Sequence, residues 1–405
     1  MGVLPPGANI GRQVTHWPAV LAAIAAGVVS GATISKISPA LPLLQSEFGL
    51  SLIATGWLLS MFNTIALGSA IFFGLFCDRA GALRFCLGGL TCLLAGGVVG
   101  MAAPSAAWII VSRAIEGAGY VAISVSAPGL IAAASAPMQR GLAFGLWGAH
   151  MPTGGVAVLL ASPMLFALYS WRAVWASVAA LAALVMVFLV FQSRRYTGMR
   201  GGAPRSLSDI RTSLAQPVPW LLGAAMGAYT LQFYAVLMWL PTYLLQTRST
   251  GATASSLLTA LFVLVNAFGN VAGGWFMNRN IALGRMIGAS FALTSVMFLG
   301  VFSDHLPDAA RLACMLAYGF VTGNIPPSVF AGGLRYARSP SEAGSIQGLI
   351  LHVSNVGIFS GPPLIAAAVT RGGGWSAALW VILGAAAIGL TIAFAISRLE
   401  KSGSR

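Results

Sequence analysis

Charge is what this chain has least of. Only 7% of its 405 residues are Asp, Glu, Lys or Arg, and just eight are acidic. A soluble domain carries roughly a quarter of its residues as charges, so an ordinary water-soluble globule is excluded. Cysteine is scarce too. Cys77, Cys86, Cys92 and Cys314 form no CxxC pair and have no histidine at ligand spacing, so they read as small core residues and no metal site is expected. There is no GxxxxGKS/T loop, which argues against nucleotide-driven work by this chain alone. A GxSxG, an HExxH and a cluster of catalytic carboxylates are also missing, so an enzyme is not expected and no cofactor is implied.

What the chain has in abundance is apolar length. Apolar residues make up 58%, and runs of eighteen or more recur along the sequence. Lipid offers the backbone no hydrogen bonds, so such runs must cross as helices or closed barrels. Long unbroken runs exclude the weak alternation of a barrel. The expectation is an all-α polytopic membrane protein with twelve transmembrane helices, at about 17–40, 54–76, 83–102, 107–132, 141–165, 172–192, 217–245, 254–277, 284–302, 309–333, 343–368 and 374–397. The first segment has one arginine before it and no clear small-residue cleavage site after it, so it is expected to remain as a helix.

The formal charge of +14 raises the question of nucleic acid, and its distribution answers it. Arg12, Arg79, Arg84, Arg140, the arginines of 194–211, Arg279, Arg285, Arg335, Arg338, Arg398, Lys401 and Arg405 all fall in connectors on one side of a twelve-helix topology. The other side holds Arg172, Arg248, Arg311 and Arg371. This is the positive-inside pattern: it places both termini in the cytoplasm and leaves no need for a nucleic-acid partner.

The longest polar stretch, QSRRYTGMRGGAPRSLSDIRTSLAQPVPW at 192–220, divides the helices six and six. It sets the expected domains: an N-terminal bundle at 1–192, a cytoplasmic linker at 193–216 and a C-terminal bundle at 217–405. The halves echo one another in order. GLFCDR at 74–79 returns as GWFMNR at 274–279; PLLQ from Pro42 returns as PTYLLQ from Pro241; His150 and Gly155 return as His352 and Gly357; and WRAVW from Trp171 returns as WSAALW from Trp375. Conserved order among landmarks is the signature of an internal repeat.

GLFCDRAGALR at 74–84 resembles the loop between helices two and three of the major facilitator superfamily, with Gly74, Asp78, Arg79, Gly81 and Arg84 at the motif positions. RAIEGAGY from Arg113 resembles that family's fourth-helix motif. GAHMPTGG at 148–155 resembles its antiporter motif in part, keeping the glycine pair but lacking the Gly-Pro step. Together with SPALP and WRAVW, these segments are most similar to bacterial permeases of the cyanate and nitroimidazole type. The resemblance implies two six-helix bundles related by an axis along the membrane normal, alternating access, and a place in the bacterial plasma (inner) membrane; a monomer is expected. It also implies that Gly74, Asp78, Arg79, Gly81 and Arg84, with Asn278 and Arg279 of the echo, gate one side. Asp78 would latch the bundles together by accepting from a helix N-terminus or pairing with an arginine, and Asn278 makes the latch unequal.

Three charges fall inside apolar segments, where each is costly unless paired or hydrated. Arg113 and Glu116 stand three residues apart on one helix face, and Lys36 lies near the outer end of helix one. As lining of a central cavity they would face water and substrate with one net positive charge, favouring an anion. The bland alternatives are a structural Arg113–Glu116 pair and a Lys36 that snorkels to the headgroups. Glu116, His150 and His352 are candidate proton carriers, the histidines falling near mid-membrane depth, where they are also candidates for binding substrate by donating to an anion. The histidines equally suit hydrogen-bonded core positions. Tyr120, Trp147, Tyr229, Gln232, Tyr234, Tyr318, Asn324 and Asn355 complete the candidate substrate wall, of which a minority should touch substrate. The expected function is secondary active transport of a small organic or inorganic anion, driven by protons. Proton-coupled export of drug-like compounds is the alternative, and a transporter-like receptor a third class.

Overall fold

The computed structural model describes residues 14–67, 73, 77, 79–196, 216–248, 250–277, 279, 281–303, 305–336 and 340–402, without the side chains of 340–345 and 402. Its regular structure among these residues is helical. The first crossing is α1 (Trp17–Ser35) continued by α2 (Ile37–Phe48), and the second begins with α3 (Leu52–Ser60) and a 3₁₀ turn at Met61–Asn63. Then follow α4 (Ala82–Met101), α5 (Ala106–Ala134), a fifth crossing split into α6 (Arg140–Gly148) and α7 (His150–Leu168), and α8 (Trp171–Phe191). The second half comprises α9 (Pro217–Arg248), α10 (Ala252–Met277), α11 (Leu283–Val301), a tenth crossing split into α12 (Asp308–Gly323) and α13 (Ile325–Arg335), α14 (Pro340–Arg371) and α15 (Ala378–Ser402). Among the described residues ten helical runs are long and apolar enough to cross a membrane. Apolar side chains such as Leu184, Val271, Trp380 and Phe394 stand exposed around the outside, as lipid-facing groups do.

Local signals set the ends. Gly49 closes α2 in the left-handed region, φ 62°, while Leu50 N–H returns to the Gln45 carbonyl. Ser51 then caps α3 by accepting from the Ala54 N–H. The first crossing extends to Phe48, beyond the expected 40, because Lys36 keeps helical angles and the run carries on through SPALPLLQ. Breaks at Ala149 and Asn324 divide crossings expected to be single helices. Most of the linker 193–216 lies outside the described residues, apart from the 3₁₀ turn Ser193–Tyr196 and Gln216.

In the first half α5 packs on α4 and α1, and α7 and α8 close around α1; in the second, α9 packs on α14 and α15, and α10 and α11 on α12. Glycines permit the closest approaches. A Cβ on Gly117 would fall on the Phe62 carbonyl, and one on Gly319 would crowd the Phe262 ring. The halves also repeat a cap: Trp171 Nε1 donates to Glu47 at 2.6 Å, and Trp375 Nε1 donates to Gln246 at 3.0 Å.

Contacts between the halves gather away from the chain ends. Ser38 Oγ donates to the Leu237 and Met238 carbonyls at 2.9 and 3.1 Å, and Ser60 Oγ to the Phe359 carbonyl at 2.5 Å. Gly56 lies against Pro362, Pro363 and Ala366. On the face carrying the chain ends, α6 and α13 pack principally within their own halves. Among the described residues, contacts between the halves are thus concentrated on the face away from the chain ends.

Candidate functional site

The junction of α1 and α2 delivers Lys36, and the first half of α5 delivers Arg113 and Glu116 one turn apart. Glu116 is shared: Lys36 Nζ meets one oxygen at 2.5 Å and Arg113 the other at 2.8 Å. Arg113 also donates to the Thr33 carbonyl at 2.8 Å and the Ile34 carbonyl at 3.4 Å. Those carbonyls belong to the end of α1, where the helix dipole favours a cation. Aromatic faces cover both cations, Trp175 at 4.8 Å from Lys36 Nζ and Phe62 at 4.4 Å from the Arg113 guanidinium.

All three charged residues have no exposed surface, which corrects two expectations. Lys36 does not reach for headgroups, because Glu116 holds it inward. Nor does the cluster face water in this arrangement, because Phe62 and Trp175 close over it. Two cations share one carboxylate, so the group holds a net positive charge in a medium where charges need partners. Arg113 Nε is buried with no hydrogen-bond partner.

The remaining candidates fall into separate groups. His150 opens α7 at the break after Ala149, stacks on Trp147 with centroids 3.9 Å apart, and places Nδ1 2.5 Å from the Trp147 carbonyl. This pair packs against Gly27, nine residues before Lys36 and so about 14 Å along the helix. Tyr120 lies near the cluster, 5.4 Å from Phe62 between ring centroids. In the second half Tyr229, Phe233, Phe262 and Tyr318 form a chain of stacked rings, with Tyr234 edge-on to Phe233. Gln232 points its amide to the Ile382 carbonyl of α15 at 3.1 Å, into its own half. Asn324 occupies the break in the tenth crossing and donates to the Phe320 and Val321 carbonyls, while its Oδ1 is buried without a partner. His352 Nδ1 is likewise unpartnered, and Asn355 is half-buried one turn further along α14.

Of the gating candidates, Gly74, Asp78 and Asn278 lie outside the described residues. Gly81 has φ 85°, a left-handed conformation that glycine adopts without penalty, and it precedes α4. Arg79 and Arg84 are exposed, and Arg279 lies 3.9 Å over the Trp275 ring. Sequence reasoning missed the covering residues Phe62 and Trp175. It also missed Glu47, which pairs with Arg172 at 2.7 Å, and Glu400, whose two oxygens accept from the Leu283 and Gly284 N–H groups at the start of α11. The WRAVW echo marked Trp171 and Trp175, although not their partners.

Comparison with known proteins places this architecture. Residues 23–362 match the sequence profile of the Major Facilitator Superfamily. A hexuronate transporter of Bacillus subtilis (strain 168) is 22% identical over 388 residues, covering 89% of this chain and 90% of the relative. A puromycin resistance protein of Streptomyces alboniger is 28% identical over 163 residues, covering 40% of this chain and 32% of that protein. Among solved structures, a bacterial homolog of the human lysosomal transporter Spinster, inward-facing and unoccupied, superposes with a TM-score of 0.79 at 16% identity. The match spans 94% of this chain and 96% of that one. Its occupied inward-facing form gives a TM-score of 0.72. With the family profile spanning most of the chain and a full-length transporter relative beside it, the chain belongs to the Major Facilitator Superfamily and is a multi-pass membrane transporter.

Proposed function

We propose that this transporter moves a small organic anion by alternating access and couples that movement to protons at the Lys36–Glu116–Arg113 cluster. The observation that carries the reading is one carboxylate shared by two fully buried cations. Protonating Glu116 would leave Lys36 and Arg113 without a counter-charge, at a cost of several kcal/mol. An incoming carboxylate supplies that charge, so substrate and proton each make the other's arrival easier. Such coupling is reciprocal. A hexuronate is a sugar carboxylate, and similarity to a transporter of that name along nearly the whole chain supports the same substrate chemistry.

The cluster is closed in this arrangement, so an anion reaches it only when Phe62 or Trp175 moves aside. Trp147, His150 and Tyr120 would guide the anion from the chain-end face toward it. With both termini cytoplasmic in a bacterial inner membrane, the chain-end face is the inner one and the protein works as a monomer. The gating set Gly74, Asp78, Arg79, Gly81, Arg84, Asn278 and Arg279 would close that face, and 193–216 would link domains 1–192 and 217–405.

The test is flux in proteoliposomes, with galacturonate, glucuronate, small carboxylates and inorganic anions offered with and without an imposed pH gradient. The expected result is anion accumulation that follows the gradient. Glu116→Gln should abolish gradient-driven accumulation. Transport restricted to cationic, drug-like compounds and unchanged in Glu116→Gln would overturn the anion reading and favour export of the kind that the puromycin relative's name describes.

A further inference from the structure

The two halves share a register but not a filling. Pro42 aligns with Pro241, Glu47 with Gln246, and Gly117 with Gly319; Glu47 and Gln246 each accept from a tryptophan, and a Cβ on either glycine would crowd a phenylalanine of its own half, Phe62 or Phe262. This register sets Ala235 against Lys36, Met315 against Arg113 and Tyr318 against Glu116. The first half fills that interior with an ionic cluster. In the second half Ala235 and Met315 line a cavity of about 30 Å³, and Met315, with Leu240 and Tyr243, also lines an adjoining cavity of about 160 Å³.

The larger cavity has an apolar body and a charged mouth. Leu244, Leu258, Leu312 and Met315 line the body, and Arg248, Asp308 and Arg311 stand at the mouth. Because α9 ends and α12 begins there, the mouth lies on the face away from the chain ends. Arg248 reaches Asp308 at 2.8 Å and the Tyr243 hydroxyl at 3.3 Å, while Arg311 comes within 3.9 Å of the same carboxylate. The exposures are unequal: the arginine side chains are 21% and 15% exposed, Asp308 78%. The guanidiniums belong to the cavity wall, and the acid stands out toward solvent where an anion could displace it.

A concave apolar body with a few convergent polar groups is the usual form of a small-ligand site. We propose that this cavity binds an alkyl anion, with a carboxylate or phosphate head on Arg248 and Arg311 and the chain running down to Met315. A short polar anion would leave the apolar body empty, and an uncharged alkyl chain would make no use of the two guanidiniums in the cavity wall. Each methylene buried in such a site tightens binding about fourfold. The head could belong to a soluble fatty acid or to a bilayer lipid, which share this chemistry.

Full-length protein in phosphatidylcholine nanodiscs, titrated with octanoate and followed by melting temperature, tests the proposal. Octanoate should stabilise saturably, about 15-fold more tightly than hexanoate, and neither octanol nor acetate should reproduce the shift. Arg248→Gln should weaken binding tenfold or more, Leu312→Trp should abolish it by filling the body, and Asp308→Asn should strengthen it by removing the competing carboxylate. Replacing part of the phosphatidylcholine with phosphatidylglycerol distinguishes the sources. Stabilisation by that lipid, lost in Leu312→Trp and leaving no further octanoate shift, identifies a bilayer lipid as occupant; a persisting octanoate shift identifies a soluble one. Equal shifts from octanol and octanoate would overturn the proposal. So would an octanoate shift lost in Glu116→Gln and unchanged in all three second-half variants, which would place binding at the central cluster instead.

Discussion

Glu116 has two oxygens and spends one on each of two cations that have no exposed surface. Removing the carboxylate therefore costs more than removing either cation. Glu116→Gln leaves two buried positive charges facing each other and should destabilise the protein by about 3–5 kcal/mol. Lys36→Met leaves an Arg113–Glu116 pair that is still complete, and should cost markedly less. Adding Lys36→Met to Glu116→Gln should recover part of the lost stability, because it deletes one uncompensated charge. Melting temperatures of the three variants in one detergent check the order; a double variant less stable than Glu116→Gln would show that the cations are held by other groups. The Arg113–Glu116 half of this arrangement was legible in sequence from its helical spacing. Lys36 joining it was not, since a lysine near a helix end satisfies a headgroup as readily as a buried acid until tertiary packing decides.

Helix contacts depend on small residues at specific points. A side chain on Gly117 would strike the Phe62 carbonyl, and Phe62 also covers Arg113. Gly117→Val should thus push α5 from the second crossing and uncover the cluster, costing about 1–3 kcal/mol. Gly319→Val meets the Phe262 ring, a softer obstacle than a backbone carbonyl, and should cost less. Thermal unfolding of both variants tests whether the repeated contact is weighted toward the first half; equal losses would say it is not. Element existence followed from apolar run length, and the helices among the described residues, with the family fold, support the twelve crossings. The breaks at Ala149 and Asn324 did not follow from it, because the chain there remains apolar and the interruption serves His150 in one half and Asn324 in the other. The glycine-rich gating loop was read from motif alone, and its Gly74 and Asp78 lie outside the described residues.

At the scale of the whole molecule, the contacts between the halves among the described residues gather on the face away from the chain ends. Alternating access requires those contacts to break, so a covalent tie there should trap the arrangement seen here. Gly56 and Ala366 offer the position: a Cβ on Gly56 would lie 2.9 Å from the Ala366 Cβ, against the roughly 3.8 Å of a disulfide, so α3 and α14 must part by about 1 Å to take the bond. With Cys77, Cys86, Cys92 and Cys314 replaced by alanine, Gly56→Cys with Ala366→Cys should cross-link under mild oxidation. Anion flux in proteoliposomes should then fall to background and return on reduction, while either single cysteine variant responds to neither treatment. A pair that cross-links fully yet continues to transport would show that this interface stays closed throughout the cycle. The moving contact would then have to be sought at the Ser38–Leu237 junction instead.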